Sequence, residues 1–105
     1  MYKYGFFQSD EVVFEWDEGK EKINFEKHGI NFSTAMESFE DPHGIAFSDE
    51  KHSSESEQRF YWVGKPKGKD FVVTTWYTTR NVSVRIIGCA QLRKFRRLYE
   101  NTKIK

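Results

Sequence analysis

At 105 residues the chain is long enough for one hydrophobic core and too short for two, so a single domain over residues 1–105 is expected. Aromatic residues reach 17%, enough to build that core against a charged fraction of 31%, and no stretch approaches the roughly 20 apolar residues of a membrane span, which excludes a membrane protein. The net charge of +1 hides an asymmetry: from Arg80 onward eight basic residues face one acid, Glu100, while residues 1–79 hold nine basic and fifteen acidic side chains, so a polyanion or an acidic protein is the expected partner of the C-terminal third.

Residues 1–11 lack the charged start, continuous apolar run and small-residue cleavage site of a secretory leader, which predicts a cytoplasmic protein. Val12 to Trp16 reads as a short strand with Phe14 and Trp16 on one face. Asp17 is placed as the N-cap of a helix running from about Glu18 to His28, and Gly29 stops it. Ser33 or Thr34 is expected to cap a second helix, with Thr34 and Glu37 at capping-box spacing. Its apolar stripe is Phe32, Ala35, Met36 and Phe39, and Pro42 ends it. His43 then reads as a turn residue.

Strands are expected at Gly44–Ser48, Arg59–Gly64, Phe71–Thr78 and Val82–Cys89. The polar stretch from Ser48 to Gln58 is long enough for a functional loop. Lys65 to Lys69 is a turn by its proline and glycine, and the short Thr79-Arg80-Asn81 connection predicts antiparallel neighbours. A last helix from Gln91 to about Asn101 has Leu92, Phe95, Leu98 and Tyr99 at helical spacing among basic residues. The order β-α-α-β-β-β-β-α predicts an α+β fold, an antiparallel sheet packed by helices. The single cysteine, Cys89, excludes an internal disulfide and reads as a small core residue.

One ordered set of residues is more specific than any of its pieces. It comprises Phe14-Glu15-Trp16-Asp17, Asn24, Lys27-His28-Gly29, Phe32, Ala35, Phe39, Asp49, His52, Arg59, Gly64, Tyr77-Thr78, Arg80, Arg85-Ile86-Ile87 and the run from Arg97 to Glu100. This set resembles the BrnT toxin family over about residues 12–100 and leaves residues 1–11 outside. The resemblance implies a RelE-like fold and a ribonuclease that blocks translation. It also implies a BrnA-like ribbon-helix-helix antitoxin as partner, with operator DNA contacted only through the antitoxin complex. One departure stands out. Family members usually follow the Arg85-Ile86-Ile87 strand with Ser-Ala-Arg, where this chain has Gly88-Cys89-Ala90, so an arginine is missing and Arg93, one helical turn on, is the candidate substitute.

RNA carries its own nucleophile, the 2′-hydroxyl, so a catalyst has only to align it, remove its proton, neutralise the phosphorane and protonate the leaving 5′-oxygen. Arginine suits the phosphorane by its planar, permanently charged fork, and histidine suits proton transfer by an unperturbed pKa of about 6.5. Arg80 and Arg85 flank a tight connection between strands and are the first candidates, with Arg59 a third; surface salt bridges are the competing role for each. His28, at a helix C-terminus, and His52, in the polar loop, are the acid–base candidates. Their ordinary roles would be interaction with the helix-end carbonyls and loop exposure. Lys27, Arg93, Lys94, Arg96 and Arg97 are candidates to hold RNA backbone. Tyr99 is a candidate to stack a base or donate a proton, with core packing as its alternative. No metal or other cofactor is expected, since His28, His43, His52 and Cys89 lack zinc spacing, and no Gly-rich phosphate loop or serine nucleophile motif occurs. The competing function is a catalytically weak or inactive binding module that forms a repressor complex with its antitoxin.

Overall fold

Apolar residues alternating along β-branched and aromatic runs build six strands; two capped helices lie between them and a third follows the last strand. The computed structural model describes residues 2–6 and 12–104. Strands β1 (Tyr2–Phe6), β2 (Val13–Asp17), β3 (Ile45–Ser48), β4 (Arg59–Gly64), β5 (Val73–Arg80) and β6 (Ser83–Ala90) form one sheet in the order β1-β2-β6-β5-β4-β3. Helices α1 (Glu18–His28), α2 (Phe32–Glu37) and α3 (Arg93–Ile104) pack against it. The class is α+β, with two departures from the expected layout. The backbone of residues 2–6 adds a strand antiparallel to β2. The sheet is also mixed, because β2 runs parallel to β6. Short links dictate antiparallel pairing only between consecutive strands, as in β4–β5–β6. Both helices and three strands separate β2 from β6, so no turn fixes their relative direction.

The two sheet faces bury different sets of side chains. On one face, Phe14 and Trp16 of β2 meet Ile86 and Cys89 of β6, and α1, α2 and their linker close over them with Ile30, Phe32 and Ala35. On the other, α3 lays Phe95 and Tyr99 over Val63 and Val72, with Phe47 and Tyr61 packed alongside. Leu98, expected on the apolar face of α3, is exposed instead. No helix among the described residues is long and apolar enough to cross a membrane.

Local chemistry sets the helix ends. The Asp17 carboxylate accepts from the amides of Gly19 and Lys20 at 2.8 and 3.1 Å, and Gly29 closes α1 at φ 73° with its N–H on the Phe25 carbonyl. The cap of α2 is Asn31, not Ser33 or Thr34. Its Oδ1 accepts from the Thr34 amide at 3.0 Å and from both neighbouring hydroxyls, which lets Phe32 begin the helix fully buried. Beyond Glu37 the chain tightens into a 3₁₀ turn, Ser38–Glu40, before Pro42.

At the turn β5 runs on to Arg80, two residues further than expected, and β6 begins at Ser83, one residue later. Asn81 adopts φ 54°, a conformation its short polar side chain tolerates, and this allows a two-residue connection. The register shifts between Trp76 and Tyr77, leaving Ile87 as the extra residue of a bulge two positions from Arg85. Asn24 pins α1 to the end of β6, donating to the Cys89 carbonyl at 2.9 Å and accepting from the Cys89 amide at 3.1 Å. The Cys89 thiol is fully buried, and burial pushes its pKa up to about 12, consistent with a core residue.

Candidate active site

Sheet register assembles a charged row. Residues directly opposite one another on neighbouring strands share a face. Arg59 of β4 pairs with Thr78 of β5, Thr78 pairs with Arg85 of β6, and Arg85 pairs with Glu15 of β2. The Asp49 amide donates to the Arg59 carbonyl at 2.8 Å, which carries the row one residue past the end of β3. Residues flanking this row, Phe14, Ile86 and Tyr77, point the other way, into or against the core under α1 and α2. The row therefore lies on the α3 face of the sheet, near its Arg80 end. Arg80, two residues beyond Thr78, falls on the same face by alternation and is exposed.

Glu57 draws the cations together. Its Oε1 accepts from Arg59 Nε at 2.8 Å. That hydrogen bond holds the Glu57 carboxyl below the usual carboxylate range against partial desolvation, assisted by the charges of Arg59, Arg80 and Arg85. One carboxylate thus lies in the field of three guanidinium groups contributed by three adjacent strands. Sequence reasoning did not single out Glu57. Its one available signal is the i, i+2 spacing to Arg59, which puts both on one face if the strand conformation begins early.

A histidine stands at the margin of the same row. Asp49 is 5% exposed, and its Oδ2 lies 2.8 Å from Nδ1 of His52, whose ring is 52% exposed. The Ser53 hydroxyl donates to the Asp49 carbonyl and accepts from the Arg59 amide, both at 2.8 Å, so the His52 turn is bolted to the first residue of β4. With Nδ1–H on the carboxylate, Nε2 is left to accept or deliver a proton. One row further along the sheet, Tyr61 and Trp76 sit partly exposed in edge-to-face contact, with centroids 5.8 Å apart.

The remaining candidates lie elsewhere. Lys27 and His28 end α1, which covers the opposite face of the sheet. They are exposed and line a shallow depression with Lys20, Ile23, Asn24 and Ile87. Arg93 and Arg96 flank a cavity at the β4–β5 turn, the far end of the strands from Arg59 and Arg80. Arg93 therefore stands at the same end of the sheet as Ala90, away from Arg85. Lys94 is placed over the ring of Phe95 at 5.3 Å, and that ring touches Tyr61 at 5.1 Å, which makes Lys94 the α3 cation linked to the aromatic row. Arg97 is exposed.

Tyr99 takes the core-packing role, not that of a base-stacking or proton-donating residue. It is 1% exposed, and its hydroxyl donates to Asp41 Oδ2 at 2.6 Å, so it offers no face to a base. Burial and the adjacent carboxylate both raise its pKa, which also disfavours titration. His43 is exposed in the turn after Pro42, as expected. Among the described residues no three His, Cys, Asp or Glu side chains form a metal-binding group.

Residues 16–95 match the family model of a ribonuclease toxin, BrnT, of type II toxin–antitoxin systems. No curated protein matches the chain.

Proposed function

The chain belongs to the BrnT family of type II toxin–antitoxin ribonuclease toxins, and from this premise we propose that it cleaves RNA on the α3 face of its sheet, without a metal, until an antitoxin neutralises it. The observation that carries the reading is the placement of Arg59, Arg80 and Arg85 on one face at one end of the sheet, by strand register. Three guanidiniums on one face, one of them already holding a carboxylate, are chemically suited to an RNA phosphodiester.

In the proposed reaction the 2′-oxygen attacks phosphorus and the bond from phosphorus to the 5′-oxygen breaks. The products are a 2′,3′-cyclic phosphate and a free 5′-hydroxyl. Arg80 and Arg85, with Arg59, neutralise the charge that grows on the non-bridging oxygens. His52 transfers a proton through Nε2 while Asp49 fixes its ring through Nδ1. The family is that of a type II system, so an antitoxin partner and an RNA substrate follow from membership. We assign the antitoxin to the BrnA-like ribbon-helix-helix class, with operator DNA reached only through that complex. Cleavage of translated RNA in the cytoplasm would account for inhibition of translation.

Full-length protein freed of antitoxin is expected to shorten messenger or ribosomal RNA in the presence of a chelator, and Arg85→Ala to leave it intact. Intact RNA with the wild-type chain counts against cleavage, and a requirement for magnesium counts against the metal-free route. One observation favours a weaker enzyme or a pure binding module. Ala90 stands where the resemblance leads one to expect an arginine; it is buried opposite Thr74 at the β4–β5 turn end of the sheet, so the cation expected at that end is absent from the sheet, and Arg93 is exposed on α3 beside it. A chain that does not slow growth on expression yet co-purifies with a small partner would establish that alternative.

A further inference from the structure

The cations of α3 mark a second place for RNA. Arg93 and Arg96, one turn apart on one flank of the helix, join Lys65 around a cavity of about 510 Å³ whose apolar lining is Phe71, Val72 and Leu92. Both arginines are exposed and form no ion pair among the described residues. Lys65 reaches Asp70 at 3.5 Å, but Asp70 is fully exposed, and the other rim acid, Glu100, is paired with neither arginine. A pair of guanidiniums in i, i+3 register beside an ammonium, in a mostly polar cavity with a smaller apolar share from Phe71, Val72 and Leu92, combines the two features that hold a single-stranded nucleotide. Cations take its phosphate, and apolar or aromatic surface takes the base.

The cavity cannot be part of the arginine cluster. Arg59 opens β4 and Arg80 closes β5, whereas Lys65 follows the last residue of β4 and Val72 precedes the first of β5. The two places are therefore separated by the length of β4, roughly 20 Å at about 3.3 Å per residue. A strand must extend several nucleotides beyond the scissile phosphate to reach both.

We infer that this cavity is a second RNA subsite, which holds a nucleotide of the bound strand remote from the cleavage point and makes the protein prefer longer RNA. The inference rests on the reading of the chain as an RNA-cleaving toxin. It names Lys65, Phe71, Arg93 and Arg96 as determinants of substrate length.

The test is equilibrium binding of a labelled dinucleotide and a labelled dodecanucleotide of single-stranded RNA to the full chain carrying Arg85→Ala, which is expected to remove toxicity. In that background, Arg93→Ala with Arg96→Ala is expected to cut the preference for the longer strand at least tenfold. The slope of log affinity against log salt for the dodecanucleotide should fall by about 1.4, two cations at about 0.7 each. Charge reversal, Arg93→Glu with Arg96→Glu, should deepen both effects, and a thermal midpoint close to that of the parent verifies folding. An unchanged length preference overturns the subsite. So does loss of antitoxin binding by these variants with RNA affinity intact, which would assign the cavity to an acidic protein. Failure of the functional reading gives a different signature. A wild-type chain that cuts no RNA, yet keeps a length preference sensitive to Arg93 and Arg96, leaves the subsite standing without the cleavage.

Discussion

Glu57 holds Arg59 at 2.8 Å inside a cluster that also contains the charges of Arg80 and Arg85. The carboxylate occupies the kind of position an RNA phosphate needs, so the two anions compete for the same cations. Glu57→Gln is expected to tighten RNA binding several-fold and to steepen its salt dependence, because Arg59 is released to phosphate. Binding measured in an Arg85→Ala background checks this. Weaker binding would mean that Glu57 positions Arg59 for the substrate instead of competing with it.

The two central arginines are expected to be the most sensitive positions. Arg85→Ala and Arg80→Ala should each lower cleavage by about 10²–10³-fold with the fold kept, the usual loss when a preorganised donor to a developing oxyanion is removed. The double variant should lose less than the product of the single losses, since both act on one phosphate. Growth on expression and single-turnover cleavage are the readouts. A toxic, folded double variant removes both residues from the site.

His52 and Asp49 should separate turnover from binding. His52→Ala is expected to reduce kcat by about 10²–10⁴-fold. Asp49→Asn should reduce kcat with little change in KM, because the carboxylate orients the ring and is too buried to meet the substrate. His28 ends a helix on the other face of the sheet, so His28→Ala should cleave as the wild type does. Equal losses for both histidines would show that the RNA path wraps around the sheet.

Tyr99 and Asp41 anchor α3. Partial burial works against the Asp41 charge, yet hydrogen bonds from the Tyr99 hydroxyl and from the amides of Lys65 and His43 hold its carboxyl below the ordinary value of 3.8. A carboxylate lowered in the folded state adds stability that is complete above its unfolded pKa and is lost as pH falls through the folded one. Acid should therefore loosen α3 below about pH 4 in the wild type. Tyr99→Phe should cost about 2 kcal/mol at neutral pH, the worth of a hydrogen bond to a charged group. Urea denaturation across pH checks both, and an Asp41→Asn variant should flatten the acid limb.

The α1 caps and the apolar stripe of α2 follow from local signals in the sequence, as Asp17, Gly29 and the spacing of Phe32 and Ala35 illustrate. So does the convergence of Arg80 with Arg85, because a short connection between two strands leaves little freedom. The parallel pairing of β2 with β6 does not follow, since periodicity reports a strand's faces and not its neighbours. For the same reason the row from Glu15 through Arg85 and Thr78 to Arg59 depends on register, which spans residues far apart in the chain. Tyr99 and Arg93 show the limit from the other direction. Helical spacing places both on α3, but the position of α3 over the sheet decides that one is buried and the other faces the β4–β5 turn.

Position 90, where the resemblance leads one to expect an arginine, holds Ala90, and its surroundings predict what that arginine would do. Ala90 is 1% exposed and pairs with Thr74, which is fully buried and has no hydrogen-bond partner for its hydroxyl. An arginine there would bring a permanent charge and a large side chain into a position that is now fully packed. Ala90→Arg is expected to cost about 3 kcal/mol or more of stability, in the range of other uncompensated buried charges. A drop in the thermal midpoint without a gain in cleavage supports this account. A stable variant with faster cleavage would mean that the side chain finds a place at the β4–β5 turn end of the sheet, and that the loss at position 90 is what weakens the enzyme.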